Sequence, residues 1–237
     1  MNWLSGWLDR FRPDGKPQLS DGQLERLRRW QALPAHDWLQ DSRSTRYLVV
    51  DVEASGLRIR HDHLISIGAV ALDRGVINPA DAFETVLRQD TVSSTENILI
   101  HGISGSEQRE GLEPAEALLR FLEYSGHTPL VAYHAYFDQA MIAQAMRRFL
   151  GIRYQPKWLD LAWLMPALFP DRYCNTVALD EWLDAFGIEN FQRHNAISDC
   201  LATAQLLQVA LQRAAERGID TPQALAASES RRRRDSW

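Results

Sequence analysis

Cysteine and long apolar runs are both scarce in this 237-residue sequence. Its two cysteines, Cys174 and Cys200, cannot form a disulfide framework and lack the paired spacing of a metal site, which favours a reducing compartment. No stretch approaches the roughly 20 continuous apolar residues of a membrane-spanning helix, and no basic segment followed by an apolar signal core opens the chain. We therefore expect a cytoplasmic protein without a membrane span.

Positive charge is scarce in the middle of the chain. Residues 47–230 hold 14 lysine and arginine residues against 24 aspartate and glutamate residues, whereas both flanks are positive and the whole chain has a formal charge of −5. This acidic body disfavours strong nonspecific binding to long duplexes by phosphate neutralisation alone. It suits a site in which bound cations mediate the contact with phosphate.

The two ends of the chain differ from the body. Residues 3–11 place apolar and aromatic side chains at helical spacing, and a second short helix is predicted at residues 21–33. Both are expected to pack on the domain as an N-terminal extension, residues 1–45, with docking to a partner or a membrane surface as the alternative. Residues 218–237 are predicted to form a short helix and a basic tail, in which the four arginines of residues 231–234 are solvated and disordered rather than a nucleic-acid clamp.

Hydrophobic periodicity predicts an α/β domain over residues 46–217. Three strands at residues 47–53, 64–72 and 83–87 form a meander, and the rest of the domain alternates strands and helices. Such an arrangement predicts a mixed sheet with helices on its faces. The later strands are expected at residues 129–133 and 158–161, and the helices at residues 113–124, 137–150, 176–186 with a capping Thr176, and 196–217 closed by Gly218, with one more before Pro170.

Asp51 and Glu53 stand at the end of the first predicted strand. Side chains two residues apart on a strand point to the same side. Burial of two ionised carboxylates there costs several kcal/mol, and each raises the pKa of the other. A divalent ion such as Mg²⁺ resolves both penalties; the alternative is a frayed strand end with hydrated acids. Gly56 in the following Ser55-Gly56-Leu57 allows a sharp turn and a close approach to a ligand.

Three more candidates lie at helix starts. Asp138 begins the helix after the fourth strand, where an anion is well tolerated, so simple capping is the alternative to a catalytic role. The carboxyl end of that strand lies beside the strand with the two acids, where an α/β site forms. Asp199 lies on the first turn of the last long helix, and His194 precedes it on a loop. With metals bound to the acids, His194 can take the proton of an attacking water.

Together, the segments Asp51-Val52-Glu53, Phe137-Asp138 and His194-Asn195-Ala196-Ile197-Ser198-Asp199 resemble the three motifs of the DEDDh, or DnaQ-like, exonuclease family. Its ribonuclease-H-like members include the proofreading epsilon subunit of bacterial DNA polymerase III. The resemblance covers roughly residues 46–217. It implies a five-stranded sheet in the order 3-2-1-4-5. The chain departs from the family at Ala54, where threonine is common, and at Tyr133-His134-Ala135, where His-Asn-Ala is common.

The resemblance also implies roles for individual residues. Asp51, Glu53 and Asp199 would hold the first of two divalent ions, Mg²⁺ or Mn²⁺. Asp51 and Asp138 would hold the second, and His194 would be the general base. The residues expected to contact the terminal nucleotide are Ser55, Gly56, Leu57, His101 and Phe137.

Three functions are compatible with these expectations. The first is a 3′→5′ exonuclease that releases nucleoside 5′-monophosphates from single-stranded or frayed DNA, with a polymerase as a candidate partner through the N-terminal extension. The second is an RNA-trimming nuclease similar to ribonuclease T or oligoribonuclease, and the third is a non-catalytic binding module. DNA is favoured over RNA, although the 2′-hydroxyl contact that separates them is invisible in the motifs.

Overall fold

A five-stranded mixed sheet lies at the centre of the computed structural model, which describes residues 17–235. Its order, β3-β2-β1-β4-β5, is the predicted ribonuclease-H-like order. The first three strands pair antiparallel, and β4 runs parallel to both of its neighbours. The strands are β1 (Arg46–Ala54), β2 (Leu64–Asp73), β3 (Val76–Val86), β4 (Leu130–Ala132) and β5 (Trp158–Asp160).

Helices cover both faces of the sheet. No helix of residues 17–235 is long and apolar enough to cross a membrane. The helix expected at residues 3–11 lies outside the described residues. The helices are α1 (Asp21–Gln31), α2 (Thr95–His101), α3 (Gly105–Glu110), α4 (Pro114–Ser125), α5 (Tyr136–Ala145) with a following π-helical turn (Met146–Leu150), α6 (Leu161–Leu168), α7 (Leu179–Phe186), α8 (Ala196–Glu216) and α9 (Pro222–Asp235).

The antiparallel part of the sheet is longer than predicted. Strand β3 begins at Val76 rather than at residue 83, because its first half is largely exposed and has no apolar alternation to mark it. Arg74 and Gly75, at φ 49° and 78°, form the turn before it, as expected of a two-residue hairpin loop. Helices α2 and α3 were not predicted, because seven and six residues are too few to show a helical period.

Alternation along β1 divides the core into two layers. Leu48, Val50 and Val52 face the layer that contains α4 and α5, whereas Tyr47 and Val49 face the layer formed by α6 to α9. The positions that continue the second set are 51 and 53. The two acids of β1 therefore face the side of the sheet on which α8 lies.

Helix α1 packs on α4, on the layer opposite to α8. Arg26 binds Glu116 at 2.5 Å and Glu123 at 2.7 Å, and Leu27 joins the core. The indole N–H of Trp30 donates to the carbonyl of Gly126 at 3.0 Å. This part of the N-terminal extension packs on the domain, as the sequence predicts.

Two predictions near helix ends are corrected by the structure. Helix α7 begins at Leu179, so Thr176 does not cap it. The arginines of residues 231–234 are not a disordered tail but form the last turns of α9. The helix continues through these arginines because Arg233 binds two buried acids. It donates to Asp160 at 3.2 Å and to Glu229 at 2.8 Å.

Candidate active site

The first two acids lie on β1 at the carboxyl edge of the sheet. Asp51 and Glu53 are opposite Gly68 and Ser66 of β2 in the antiparallel register. The register with β2 continues through both residues, whereas the pairing with β4 covers Leu48 and Val49. The two carboxylates therefore have a fixed spacing on one face of a central strand.

Gly68 allows α8 to approach these acids. A Cβ atom at Gly68 would lie 2.7 Å from the Cβ of Ala196, the first residue of α8, and 2.8 Å from its carbonyl carbon. The thiol of Cys200 also donates to the carbonyl of Gly68 at 3.4 Å. Any larger residue at this position would push the helix away, so glycine brings Asp199, on the first turn of α8, to the level of β1.

Asp138 reaches the same edge from the other layer. It lies on the first turn of α5, and its Oδ1 accepts a hydrogen bond from the backbone N–H of Val52 at 3.1 Å. This bond places the Asp138 carboxylate between the backbones of Asp51 and Glu53. The residue is 5% exposed.

Arg193, on the loop before α8, brings a positive charge to this cluster of acids. Arg193 donates to Asp199 Oδ1 at 2.5 Å, and its Nε lies 2.8 Å from Asp180 Oδ1 on α7. Asn190 also donates to Asp199 Oδ1 at 2.5 Å, and the backbone N–H of His194 donates to Oδ2 at 3.1 Å. Asp199 is thus the acid of the cluster with the most hydrogen-bond donors around it.

Burial and mutual repulsion shift the proton affinity of the cluster. Burial, followed by the charge of Asp199, raises the pKa of Asp51 to about 8, while Arg193 opposes the shift. Burial and the charge of Asp51 likewise raise the pKa of Glu53 to about 8. Burial and Asp51 raise the pKa of Asp138 well above its ordinary value. The carboxylates hold more negative charge than the local donors offset.

These residues fit a divalent cation by their chemistry. Within residues 17–235, no three histidine, cysteine, aspartate or glutamate side chains are placed closely enough to hold a metal ion as they stand. Asp199 is turned to Arg193 and Asn190 instead. The donor set is nevertheless made only of hard carboxylate oxygens, and a divalent ion would relieve the repulsion that raises the pKa of Asp51 and Glu53.

His194 lies at the exposed rim of the cluster. Its backbone is left-handed, with φ 61°, and its N–H is fixed by Asp199. Asn195 then caps α8, because its side chain accepts from the N–H of Ser198. His194 is thus held to the cluster by its backbone, while the residue itself is exposed to solvent.

The loop with Ser55, Gly56 and Leu57 is folded around Asp62. A Cβ atom at Gly56 would lie 2.7 Å from Asp62 Oδ2, so the close approach expected at this glycine is made by a carboxylate of the chain. Asp62 also accepts from the N–H of Arg58 at 2.7 Å and from the Ser55 hydroxyl at 3.4 Å. The loop leaves Leu57 exposed, at 86%.

Helix α2 lies beside the end of β1 and brings its own apolar residues to the site. Asn97 donates to the carbonyl of Ala54 at 2.6 Å, and Leu99 and Ile100 are exposed. His101 is buried, with Nε2 near the Ser93 hydroxyl and Nδ1 accepting from the N–H of Ile103. Its ring therefore supports the helix, and its contact with a nucleotide stays a prediction.

Phe137 is the last of the expected substrate residues. It is partly buried against the core layer of α4 and α5, and it lies between exposed Tyr136 and buried Asp138. His134, three residues earlier, has φ 60°, a left-handed conformation that asparagine adopts readily. The departure from the family pattern at this corner therefore keeps the turn while changing the side chain.

Sequence reasoning brought the four acids together but missed what holds them in place. Gly68, Asn190 and Asp180 were not selected, and Asp62 was not recognised as the centre of the Leu57 loop. A glycine inside a buried strand is a known sign of close backbone approach, so Gly68 had a readable signal. The other three act through contacts that no local pattern displays.

Comparison with known proteins identifies the family of this chain. A family model described as "Exonuclease", RNase_T, matches residues 48–207. The PolC-type DNA polymerase III of Bacillus subtilis is 31% identical over 186 residues, which are 78% of this chain and 12% of the relative. That of Caldanaerobacter subterraneus is 30% identical over 173 residues, or 73% and 12%. The chain thus spans about an eighth of these curated relatives.

Solved structures share the fold. Escherichia coli Exonuclease I in complex with a dA16 oligonucleotide aligns with a TM-score of 0.62 at 20% identity, over 77% of this chain and 42% of the other. Exonuclease I of Methylocaldum szegediense aligns with a TM-score of 0.60 at 21% identity, over 71% and 41%. The fold that they share with this chain is the mixed five-stranded sheet described above.

Proposed function

This chain belongs to the exonuclease family of the RNase T model, and we propose that it removes nucleoside 5′-monophosphates one at a time from the 3′ end of single-stranded or frayed DNA. The observation that carries the proposal is the convergence of Asp51, Glu53, Asp138 and Asp199 at the carboxyl edge of the sheet. Burial and mutual repulsion raise the pKa of three of these acids, which supports a site where a divalent ion stabilises the charged form. The proposal assigns them as metal ligands.

The metal assignment follows the positions of the acids. Asp51, Glu53 and Asp199 would hold one divalent ion, and Asp51 and Asp138 a second. Bound Mg²⁺ or Mn²⁺ would lower the pKa of a water and offset the charge of the phosphodiester. The pairing of β1 with β2 positions Asp51, and the Val52 N–H positions Asp138, before substrate arrives, so little reorganisation would be needed.

The remaining residues act on the proton and on the nucleotide. His194 can accept the proton of the attacking water, because its ring lies at the open rim and its backbone is held by Asp199. Leu57 and Phe137 would contact the terminal base, and Ser55 and Gly56 would position the Leu57 loop through Asp62. His101 would contribute by supporting α2 beside that base.

Two observations on relatives favour DNA. The curated relatives are named as DNA polymerases, and a structural neighbour was solved with a DNA oligonucleotide. A polymerase is for the same reason the candidate partner. Helix α1 of the N-terminal extension packs on α4, and docking of the extension to such a partner stays a proposal.

Matched 5′-labelled DNA and RNA oligonucleotides test the proposal. Purified protein with Mg²⁺ should produce a ladder that shortens from the 3′ end of DNA, with 5′-mononucleotides as product. Asp51→Ala should produce none, while Asp171→Asn, which changes an exposed acid outside the cluster, should act as wild type. A ladder mainly on RNA would move the protein to the RNA-trimming class, and no ladder on either would leave a binding module.

A further inference from the structure

Helix α9 brings a row of arginines to the edge of the sheet at which the active site lies. It follows the region matched by the family model, which ends at residue 207, and it packs on α6 and β5. Four consecutive arginines, residues 231–234, lie in its last turns. The arginine-bearing end reaches the carboxyl end of β5, where Asp160 is located.

Arg233 fixes this end of the helix. It donates to Asp160 Oδ2 at 3.2 Å and to Glu229 Oε1 at 2.8 Å, and its guanidinium carbon lies 5.5 Å from the ring centroid of Trp163. Glu229 in turn accepts from the N–H of Asp160 at 3.1 Å. The orientation of the last turns of α9 is therefore set by two buried acids, and its neighbouring arginines have defined positions.

The same contacts lead directly to the catalytic cluster. Asp160 Oδ1 accepts from the N–H of His134 at 3.0 Å, and His134 begins the corner that ends in Asp138. The charge of Asp160 is near enough to contribute to the raised pKa of Asp138. Asp160, which binds the end of α9, therefore also contacts the turn between β4 and α5 that leads to the proposed metal ligand Asp138.

Basic residues at a helix C-terminus are stabilised by the helix dipole, and Arg233 also has its buried partners. Arg231 and Arg234 are exposed at the same end. They add positive charge beside a body that holds 24 acidic against 14 basic residues, which would otherwise repel a polyanion outside the metal site.

We propose that Arg231 and Arg234 bind backbone phosphates of the single-stranded substrate, on the 5′ side of the nucleotide that is removed. This inference rests on the proposed exonuclease function and extends it to the path of the strand. A guanidinium group matches phosphate with two parallel N–H donors. The contact of α9 with Asp160 brings the helix end that carries Arg231 and Arg234 to the edge of the sheet at which the four acids lie. Both arginines serve binding and not the chemical step.

Strand length and salt separate this role from a catalytic or structural one. A trinucleotide has few phosphates beyond the cleaved bond, whereas a 15-mer can reach both the cluster and α9. Each phosphate contact to a single strand contributes about −0.7 to the slope of log affinity against log salt. Loss of two contacts should therefore reduce that slope by about 1.4 for the long strand only.

The test compares Arg231→Gln/Arg234→Gln with wild type on 5′-labelled DNA of 3 and 15 nucleotides at 50, 100 and 200 mM KCl. We expect KM for the 15-mer to rise about five- to tenfold at 50 mM KCl, with a weaker salt dependence, while kcat and the trinucleotide KM stay unchanged. Arg28→Gln/Arg29→Gln is the matched control, because it removes the same charge from exposed positions of α1 on the opposite layer. Thermal unfolding checks that both variants fold.

Three outcomes would overturn the inference. The double variant could match the Arg28/Arg29 control on the 15-mer, its KM could rise equally on both substrates, or its salt slope could equal that of wild type. Each would mean that α9 does not contact the strand. A wild type that hydrolyses neither oligonucleotide would instead refute the proposed function itself, so the two failures are distinguishable.

Discussion

Two groups of buried or partly buried acids lie at the carboxyl edge of one sheet, and they differ in how their charge is offset. Asp160 and Glu229 are bridged by Arg233, and backbone N–H groups donate to both. The proposed catalytic group, called the catalytic group below, has four carboxylates, and Arg193 is the one guanidinium of residues 17–235 that an ion pair joins to it. The first group is a closed network within the fold. The second is left with an excess of negative charge.

The difference shows what each group contributes. A buried charge network is stable only when every member has a partner, and an unpaired buried charge costs several kcal/mol. The Asp160 group uses its network to orient α9. The catalytic group tolerates its repulsion because the surrounding core holds the acids in place, which leaves free energy available for ligand binding. Substitutions in one group at a time separate these two contributions.

The largest effect is expected from Asp51→Asn in the catalytic group. Loss of one ligand shared by both proposed ions should remove several kcal/mol of transition-state stabilisation, or about 10³–10⁴-fold in turnover. The same change removes one of the repelling charges, so the midpoint of thermal unfolding in EDTA should rise above that of wild type. Single-turnover hydrolysis and a thermal melt measure the two effects on the same preparation.

Asp171→Asn is the control for both measurements, because it removes an exposed acid. A variant at Asp51 that keeps its activity would refute the metal assignment. One that unfolds at a lower temperature than wild type would instead show that the cluster is already balanced without a cation.

The next effect concerns His194. If it is the general base, His194→Ala should lower turnover by about 10²–10⁴-fold in single-turnover hydrolysis. Unfolding should not change, because the residue is exposed. His127→Ala, which alters a ring tilted against Trp30 at a centroid distance of 4.8 Å in the other layer, is the matched control. A His194→Ala variant with the turnover of wild type would contradict this role.

Breaking the balanced group should have a smaller effect, on stability. Arg233→Gln leaves Asp160 and Glu229 buried without their guanidinium, and a cost of about 1–3 kcal/mol in the free energy of unfolding is expected, since Arg233 is 44% exposed. Urea denaturation measures it. Addition of Asp160→Asn and Glu229→Gln should recover much of the loss, whereas Arg234→Gln alone should cost little. A neutral Arg233→Gln would show that other contacts orient α9.

The sequence predicted the four acids of the proposed catalytic group but not the network of Asp160, Glu229 and Arg233. The four acids can be identified from the sequence because strand alternation and motif spacing are local. The sheet order is implied by the family that the same motifs resemble. The contact between Arg233 and Asp160 cannot be predicted from the sequence, because the two residues are 73 positions apart. A run of arginines also has the composition of a solvated tail. The approach of Ala196 to Gly68 and the two ion pairs of Arg193 are likewise tertiary contacts. Local propensity predicted the elements but not these contacts.

The smallest expected effect is the pH dependence of stability without metal, and it distinguishes the two groups directly. Burial raises the pKa of Asp51 from 3.8 and of Glu53 from 4.5 to about 8, and that of Glu229 from 4.5 to about 7. Between the ordinary and the raised values the folded state binds more protons than the unfolded chain. Its stability is therefore highest below the ordinary values and should fall as pH rises toward 8.

Each variant should flatten a different part of this curve. Glu229→Gln should reduce the slope up to about pH 7, and Asp51→Asn should reduce it up to about pH 8. Added Mg²⁺ should flatten the curve of wild type and leave that of Asp51→Asn nearly unchanged, because the metal replaces protons only where its ligands are present. Thermal melts in EDTA and in Mg²⁺ from pH 5 to pH 8.5 measure this. A stability that rises through the window would mean that groups within the fold stabilise Asp51 and Glu53 in their charged form.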